Sequence, residues 1–304
     1  MSRNGVAAHP SAPVVAKMRM RYAKRGRGRF SSHRDVARQM EWALRRAGVP
    51  VALSHGFSPH PRLSWIGAAP TGAASEAEFL EIGLTEVLDP VLVAREVDAV
   101  LPDGLAVLDV VVAGPGALAD RIDGSRWRIE LPGVEPAALA DAVAALDAAE
   151  GPVEVERITK NGPRTLDVRA ALVSLTVEEP GGEITGTTGA TGSVDPSPER
   201  IGAPRTEQPS PDRVTTPEPG DREHGARSAV CGTLTAVVRH TTPAVRPDDV
   251  LSALRTVAGL EPPVPAKATR TAQGRLDERG DLLDPLDADR TVDVEGDAVE
   301  ERPV

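Results

Sequence analysis

The chain has 304 residues, with 45 acids against 35 Lys and Arg and a formal charge of −10, but that charge is not evenly spread. Residues 1–64 hold 13 of the cations and only two acids, Asp35 and Glu41, a net +11; residues 65–304 hold the other 22 cations and 43 acids, a net −21. A single cysteine, Cys231, excludes an intrachain disulfide framework or a four-cysteine zinc site, and no apolar run approaches the roughly 18 residues that span a bilayer.

The first 13 residues lack the apolar core of a signal peptide, since Val6-Ala7-Ala8 is too short; they read as a disordered N-terminus on a cytoplasmic, membrane-free protein. Arg outnumbers Lys 31 to 4 amid abundant Ala, Val, Gly and Pro, as a GC-rich genome produces, so the choice of Arg says little about phosphate. The segregation of sign is not explained that way. It points to an anionic partner docking near the N-terminal third.

Val14 to Ala23 alternates with period two: Met18, Met20 and Tyr22 share one face, and Lys17, Arg19 and Arg21 the other. The turn Lys24-Arg25-Gly26-Arg27-Gly28-Arg29 follows, then a helix whose cap is Ser32, with Asp35 completing a capping box. At 100° per residue Val36, Met40, Ala43, Leu44 and Ala47 form its apolar stripe, and Arg34, Arg38, Glu41 and Arg45 the opposite one. Gly48 and Pro50 end it. Strands are expected at Leu63–Ala68 and Ala77–Leu84, a helix after Asp89-Pro90, and a buried strand at Leu105–Val112.

That order, β-α-β-β-α-β, is the ferredoxin-like arrangement over residues 14–113. A second, looser copy is expected over 125–271: a strand at Trp127–Leu131, a helix at Leu139–Leu146, and a strand at Val153–Ile158. A hairpin of Leu172–Val177 with Val230–Arg239, a helix at Pro247–Val257 and a strand at Ala266–Arg270 complete it. The extra strand at Leu172 breaks a strict repeat. Residues 179–228 carry Pro, Gly, Thr, Ser and charge without periodicity, too little apolar surface to offset about 1–2 kcal/mol per residue of ordering entropy; they read as a disordered insertion. Residues 272–304, with eleven acids against four arginines, read as an acidic disordered tail.

Three segments bear on chemistry. In the Arg-Gly turn, Gly26 and Gly28 can open backbone amides to an anion while Arg25, Arg27 and Arg29 supply charge, and the turn runs into a helix N-terminus that favours phosphate; a solvated basic loop is the plain alternative. The Arg34, Arg38, Arg45 stripe is either a partner surface or a solvated face on which Glu41 pairs with Arg38 and Arg45, with Trp42 at its edge free to stack. Ser54-His55-Gly56-Phe57-Ser58-Pro59-His60-Pro61-Arg62 is a stiff loop, because Ser58 and His60 each precede proline. It presents His55, Phe57, His60 and Arg62, unless Phe57 plugs the core and His60 bonds to backbone. His33, Asp35, His55 and His60 match no spaced metal or hydrolase motif, and no metal or other cofactor is expected.

Phe30-Ser31-Ser32-His33-Arg34-Asp35, Arg45-Arg46-Ala47-Gly48, Gly56-Phe57-Ser58-Pro59-His60-Pro61-Arg62-Leu63-Ser64 and Ala77-Glu78-Phe79-Leu80-Glu81-Ile82 resemble the radical SAM-linked (radical SAM-associated) family, whose defining region is a domain of unknown function. The match is specific over Lys17–Val112 and looser beyond. Members occur fused to a radical SAM module or as separate proteins, some encoded beside an E/G-type ribonuclease. The resemblance thus implies an accessory role in RNA processing or modification. The iron–sulfur cluster needs three cysteines, so such chemistry would belong to a separate partner.

The reading is a non-catalytic RNA-binding or adaptor protein, with no evident DNA preference. Lys17, Arg19, Arg21, Arg25, Arg27, Arg29, Arg34, Arg38 and Arg45 would hold a phosphate backbone, and His60 and Arg62 would add shape or base contacts. Two alternatives stand: an RNA-modifying enzyme using Asp35 or Asp167, and a purely protein-docking subunit. Sequence leaves open whether the loop at 54–62 and the turn at 24–29 converge.

Overall fold

A computed structural model describes residues 12–159, 162–178 and 230–290. The first strand, β1 (Ala16–Lys24), leads through a 3-10 turn (Gly26–Phe30) into helix α1 (His33–Arg46). The apolar stripe of α1, with Val36, Met40, Ala43 and Leu44, forms one buried cluster with Met18, Met20 and Tyr22 of β1. Two further strands, β2 (Leu63–Ile66) and β3 (Ala74–Leu84), precede α2 (Pro90–Asp98), where Asp89 Oδ1 accepts from Val91 N at 2.8 Å and Pro90 opens the helix. Then β4 (Leu105–Val112) closes the first half. Both β1 and β2 pair with residues 79–82 of β3, so they flank it on opposite edges, and β4 pairs with the free edge of β1; all these pairs are antiparallel.

The second half runs β5 (Gly124–Pro132), α3 (Pro136–Ala148), β6 (Glu154–Thr159), β7 (Gly162–Asp167), α4 (Val168–Ala171), β8 (Leu172–Glu178), β9 (Cys231–Arg239), α5 (Pro247–Ala258) and β10 (Lys267–Leu276). Four of its strands lie antiparallel in the order β10-β5-β9-β8. The strand expected at 153–158 lies outside the large sheet: β6 and β7 make a separate two-stranded sheet, while β8, at Leu172, belongs to the large one. The halves join where β3 and β10 run parallel through Ala74–Thr269 and Ser75–Arg270. Among the described residues the result is a mixed α/β fold with a large, mostly antiparallel sheet and six helices. No described helix is long and apolar enough to cross a membrane.

The expectation of disorder from residue 272 is corrected as far as Arg290. β10 continues to Leu276, β11 (Leu282–Leu283) pairs with it, and α6 (Asp287–Arg290) follows. Leu286 is fully buried with Ala77, Phe79, Val111, Leu118 and Ile122, a cluster on the sheet face opposite α1. Acid content misleads here because the acids are partnered: Asp277 Oδ1, for instance, accepts from the amides of Arg279 and Asp281. Residues 1–11, the insertion expected at 179–228 and residues 291–304 lie outside the described residues.

Candidate nucleic-acid interface

The Arg-Gly turn is fixed by a close backbone approach. Arg25 N donates to Gly104 O at 2.8 Å, and a Cβ on Gly28 would stand 2.6 Å from that same oxygen. Gly28 is buried on this contact rather than open to a ligand, which corrects its expected role. Arg25 is also engaged, donating Nε to Glu76 Oε1 at 2.7 Å. Arg29 stacks over the Phe30 ring at 4.6 Å, and Phe30 itself is 58% exposed. Arg27 is exposed, with no carboxylate partner among the described residues.

At the start of α1, Ser32 Oγ accepts from Asp35 N at 3.3 Å and donates to Asp35 Oδ2 at 2.6 Å. That hydroxyl bond holds the Asp35 carboxyl below the usual range. The helix N-terminus thus already faces the chain's own carboxylate, which corrects the expectation of a phosphate there. Along the outer face, Arg34, Arg38, Trp42 and Arg45 are exposed, Trp42 by 52%. The expected pairing of Glu41 with Arg38 and Arg45 does not form: Arg38 lies 4.0 Å from Asp35, and Glu41 turns into a groove.

The 54–62 loop is rigid through its ends. Ser54 N donates to His60 O at 2.8 Å, His60 N donates to Ser54 Oγ at 3.0 Å, and Leu53 bridges Pro61. Phe57 is 83% exposed and plugs no core. Val51 bridges Leu84, whose other partner is Ala16 at the start of β1, while the Arg-Gly turn leaves the end of β1. Loop and turn therefore sit at opposite ends of the sheet, spanned by α1. Between the loop and the C-terminal half of α1 lies a groove of about 270 Å³, lined by Glu41, Leu44, Arg45, Val49, Leu53, Pro59 and Pro61 among others. His55, His60 and Arg62 are exposed on the loop; Arg62 Nε reaches only Leu53 O, at 3.4 Å.

The cations of β1 do not belong to this surface. Arg19 is 1% exposed, with Nη1 2.8 Å from both carboxylate oxygens of Asp289 and Nε 3.1 Å from Glu81. Lys17 pairs with Glu81 at 2.9 Å, and Arg21 donates to Glu76 O at 2.8 Å beside Asp284. The folded C-terminal segment covers this face, so Arg19 is removed from the set that a ligand can reach. His33 stands edge-on to Trp65 at 5.4 Å, away from His55 and His60. Asp167, the other candidate carboxylate, caps α4 by accepting from Ala170 N at 3.3 Å. Among the described residues no group of three His, Cys, Asp or Glu is placed to hold a metal ion.

What remains is a single basic helix face with exposed aromatics at both ends, on a mixed α/β protein. The chain belongs to a family of uncharacterized proteins conserved in bacteria (DUF2344), whose sequence pattern matches residues 17–196. No curated protein matches it.

Proposed function

We propose that this chain is a non-catalytic RNA-binding protein that takes single-stranded RNA along the outer face of α1. One observation carries the reading. The chain has seven aromatic residues, and the three that are exposed, Phe30, Trp42 and Phe57, all lie on or beside the one helix that presents Arg34, Arg38 and Arg45. Stacking platforms interleaved with cations suit an unpaired strand, whose bases offer π-faces and whose phosphates offer charge. The family resemblance supports an accessory place in RNA processing or modification, with a separate radical SAM enzyme or E/G-type ribonuclease supplying the chemistry. The enzyme alternative has less support, because the Asp35 carboxylate is bound by the Ser32 hydroxyl and Asp167 caps α4. An adaptor role has the apolar groove beside α1 in its favour. On the fold, we infer two ferredoxin-like units, since β4-β1-β3-β2 and β10-β5-β9-β8 follow the same strand order, with β6, β7 and α4 inserted in the second.

Fluorescence anisotropy with a labelled single-stranded RNA tests this. Four open cations, Arg27, Arg34, Arg38 and Arg45, give a slope of about −3 for log K against log salt. Charge reversal at Arg34 and Arg38 should flatten it. Trp42→Ala should weaken binding by about 1–3 kcal/mol while leaving the slope unchanged. A weak response, flat with salt and indifferent to Trp42→Ala, would sink RNA binding and leave the protein-docking alternative.

A further inference from the structure

The seam between the two halves holds a second cavity, about 280 Å³, built from different elements than α1, with a few polar groups on a mostly apolar lining. The β2–β3 connection gives Gly67, Ala68 and Pro70; β5 gives Ser125 and Trp127; the end of β9 gives His240; the lead into α5 gives Arg246; and β10 gives Arg270. No acidic side chain lines it.

Arg270 is the fixed element. It is 3% exposed, lies over Trp127 at 5.5 Å, donates to Gly67 O at 2.6 Å, and forms an ion pair with Glu78. Glu78 is held in turn by the Ala69 amide at 3.2 Å, so that carboxylate faces inward and not into the cavity. Ser125 Oγ and His240 Nε2 are 2.7 Å apart. Arg246 is exposed at the mouth with no carboxylate partner among the described residues; Asp249 of α5 is committed to Arg157 and to the Arg246 amide, each at 2.7 Å.

We propose that this cavity binds the phosphoryl group of a small phosphomonoester, with Arg246, His240 and Ser125 as donors and Arg270 as its positive wall. Donors of three kinds, arriving from three separate elements, suit a tetrahedral group with three acceptor oxygens better than a flat carboxylate, which a single guanidinium fork would satisfy. Val238, Val245 and Pro70 leave an apolar margin for a short carbon body, and the volume is at the small end of ligand pockets. In the empty cavity, burial and then the charge of Arg270 hold the His240 imidazole below its ordinary pKa, against a smaller opposing pull from Asp123. With Arg246 the other charge at this wall, His240 is neutral near pH 7, and an arriving dianion returns a proton to it. Binding therefore strengthens as pH falls from 8 to 6.5, a range in which the phosphomonoester stays mostly dianionic.

The test uses the full-length chain, with glycerol 3-phosphate as the probe and acetate as the comparison. Isothermal titration should give one saturable site for glycerol 3-phosphate, and NMR of the imidazole should show the His240 pKa rising on binding. Arg246→Ala, an exposed substitution that leaves the fold alone, should weaken binding about tenfold or more. Arg27→Ala, an exposed arginine that does not line the cavity, should change nothing. An affinity unaltered by Arg246→Ala, acetate binding as tightly as the phosphomonoester, or no saturable binding at millimolar probe would each overturn the proposal. None of these outcomes depends on whether RNA binds α1.

Discussion

Asp289→Ala isolates the contact that locks the C-terminal segment onto the sheet. The Asp289 carboxylate accepts from Arg19 Nη1 at 2.8 Å on each oxygen, from Arg121 Nη1 at 2.9 Å, and from Gly114 N at 2.9 Å. Truncation takes an acceptor from two guanidinium groups and an amide. Arg121 retains some access to water, but Arg19 has almost none and is left with only Glu81 and the Gly116 carbonyl. Breaking one side of a buried ion pair costs about 3–5 kcal/mol. With a urea m-value of about 3 kcal/mol/M for a fold of this size, the midpoint should fall by about 1–1.7 M. Asp289→Asn, which keeps one acceptor oxygen, should lose markedly less. Replacing both partners, Arg19→Met with Asp289→Leu, should recover much of the loss, because the desolvation cost of both charges goes with them. A midpoint for Asp289→Ala within about 0.3 M of the parent would refute the clamp, and with it the account of why the acidic tail folds.

Other perturbations read separate parts of the chain. Gly28→Ala forces a Cβ against the Gly104 carbonyl and should cost about 1–3 kcal/mol, whereas Gly48→Ala, at φ +71° with open space around it, should cost only about 1 kcal/mol; chemical denaturation compares them. Glu78→Ala leaves Arg270 buried at the seam without its counter-charge and should lower the midpoint much as Asp289→Ala does, a near-neutral result arguing against a buried pair there. The depressed His240 pKa makes stability fall as pH drops below the unfolded value of 6.5, where the unfolded chain takes up the proton first; His240→Gln should flatten thermal midpoints measured between pH 7 and pH 5. Glu81 acts lower, below its unfolded 4.5. Partial burial pushes its carboxyl up, but bonds from Lys17 and Arg19 outweigh that and hold it down, so the Glu81 contribution is lost only in acid.

The local signals in the sequence were reliable where the partner lies nearby. Ser32, Asp89 and Pro90, and the 3.6-residue stripe of α1 all act within a few residues of one another and stand as the pattern predicts; of the expected capping box only the Ser32 cap forms, Asp35 taking the Ser32 hydroxyl instead. The polar face of β1 was illegible for the opposite reason. Alternation says only that Arg19 and Met18 face apart; it does not say that Asp289, 270 residues later, arrives to bury Arg19. Composition failed at the same place, since acids such as Asp277, Asp284, Asp287 and Asp289 look like a solvated tail until their hydrogen bonds are known. In the second half, β6 and β8 carry equally strand-like text, and only pairing partners decide which joins the large sheet. Gly28 shows the limit in miniature: the glycine pattern marks a tight turn, but not whether a ligand or the Gly104 carbonyl sits against it.

The charge asymmetry that first suggests an anionic partner shrinks when the fold is taken into account, and what survives is better defined. Lys17, Arg19, Arg21 and Arg25 each lie against a carboxylate from the acidic remainder of the chain, Glu81, Asp289, Asp284 or Glu76. Much of the opposition between a basic first segment and an acidic rest is thus internal pairing across the sheet. The arginines left without such long-range partners cluster on α1 and its entry turn, where Phe30 and Trp42 are also exposed. Two independent features, exposed cations without long-range partners and solvent-facing rings, therefore coincide on one helix about 20 Å long. A salt slope near −3 fits that helix face alone. A slope near −5 would require about seven contacts and so draw in Arg29, Arg46 and Arg62 as well; only a steeper one would demand that Glu76, Glu81 and Asp284 give up their partners on binding.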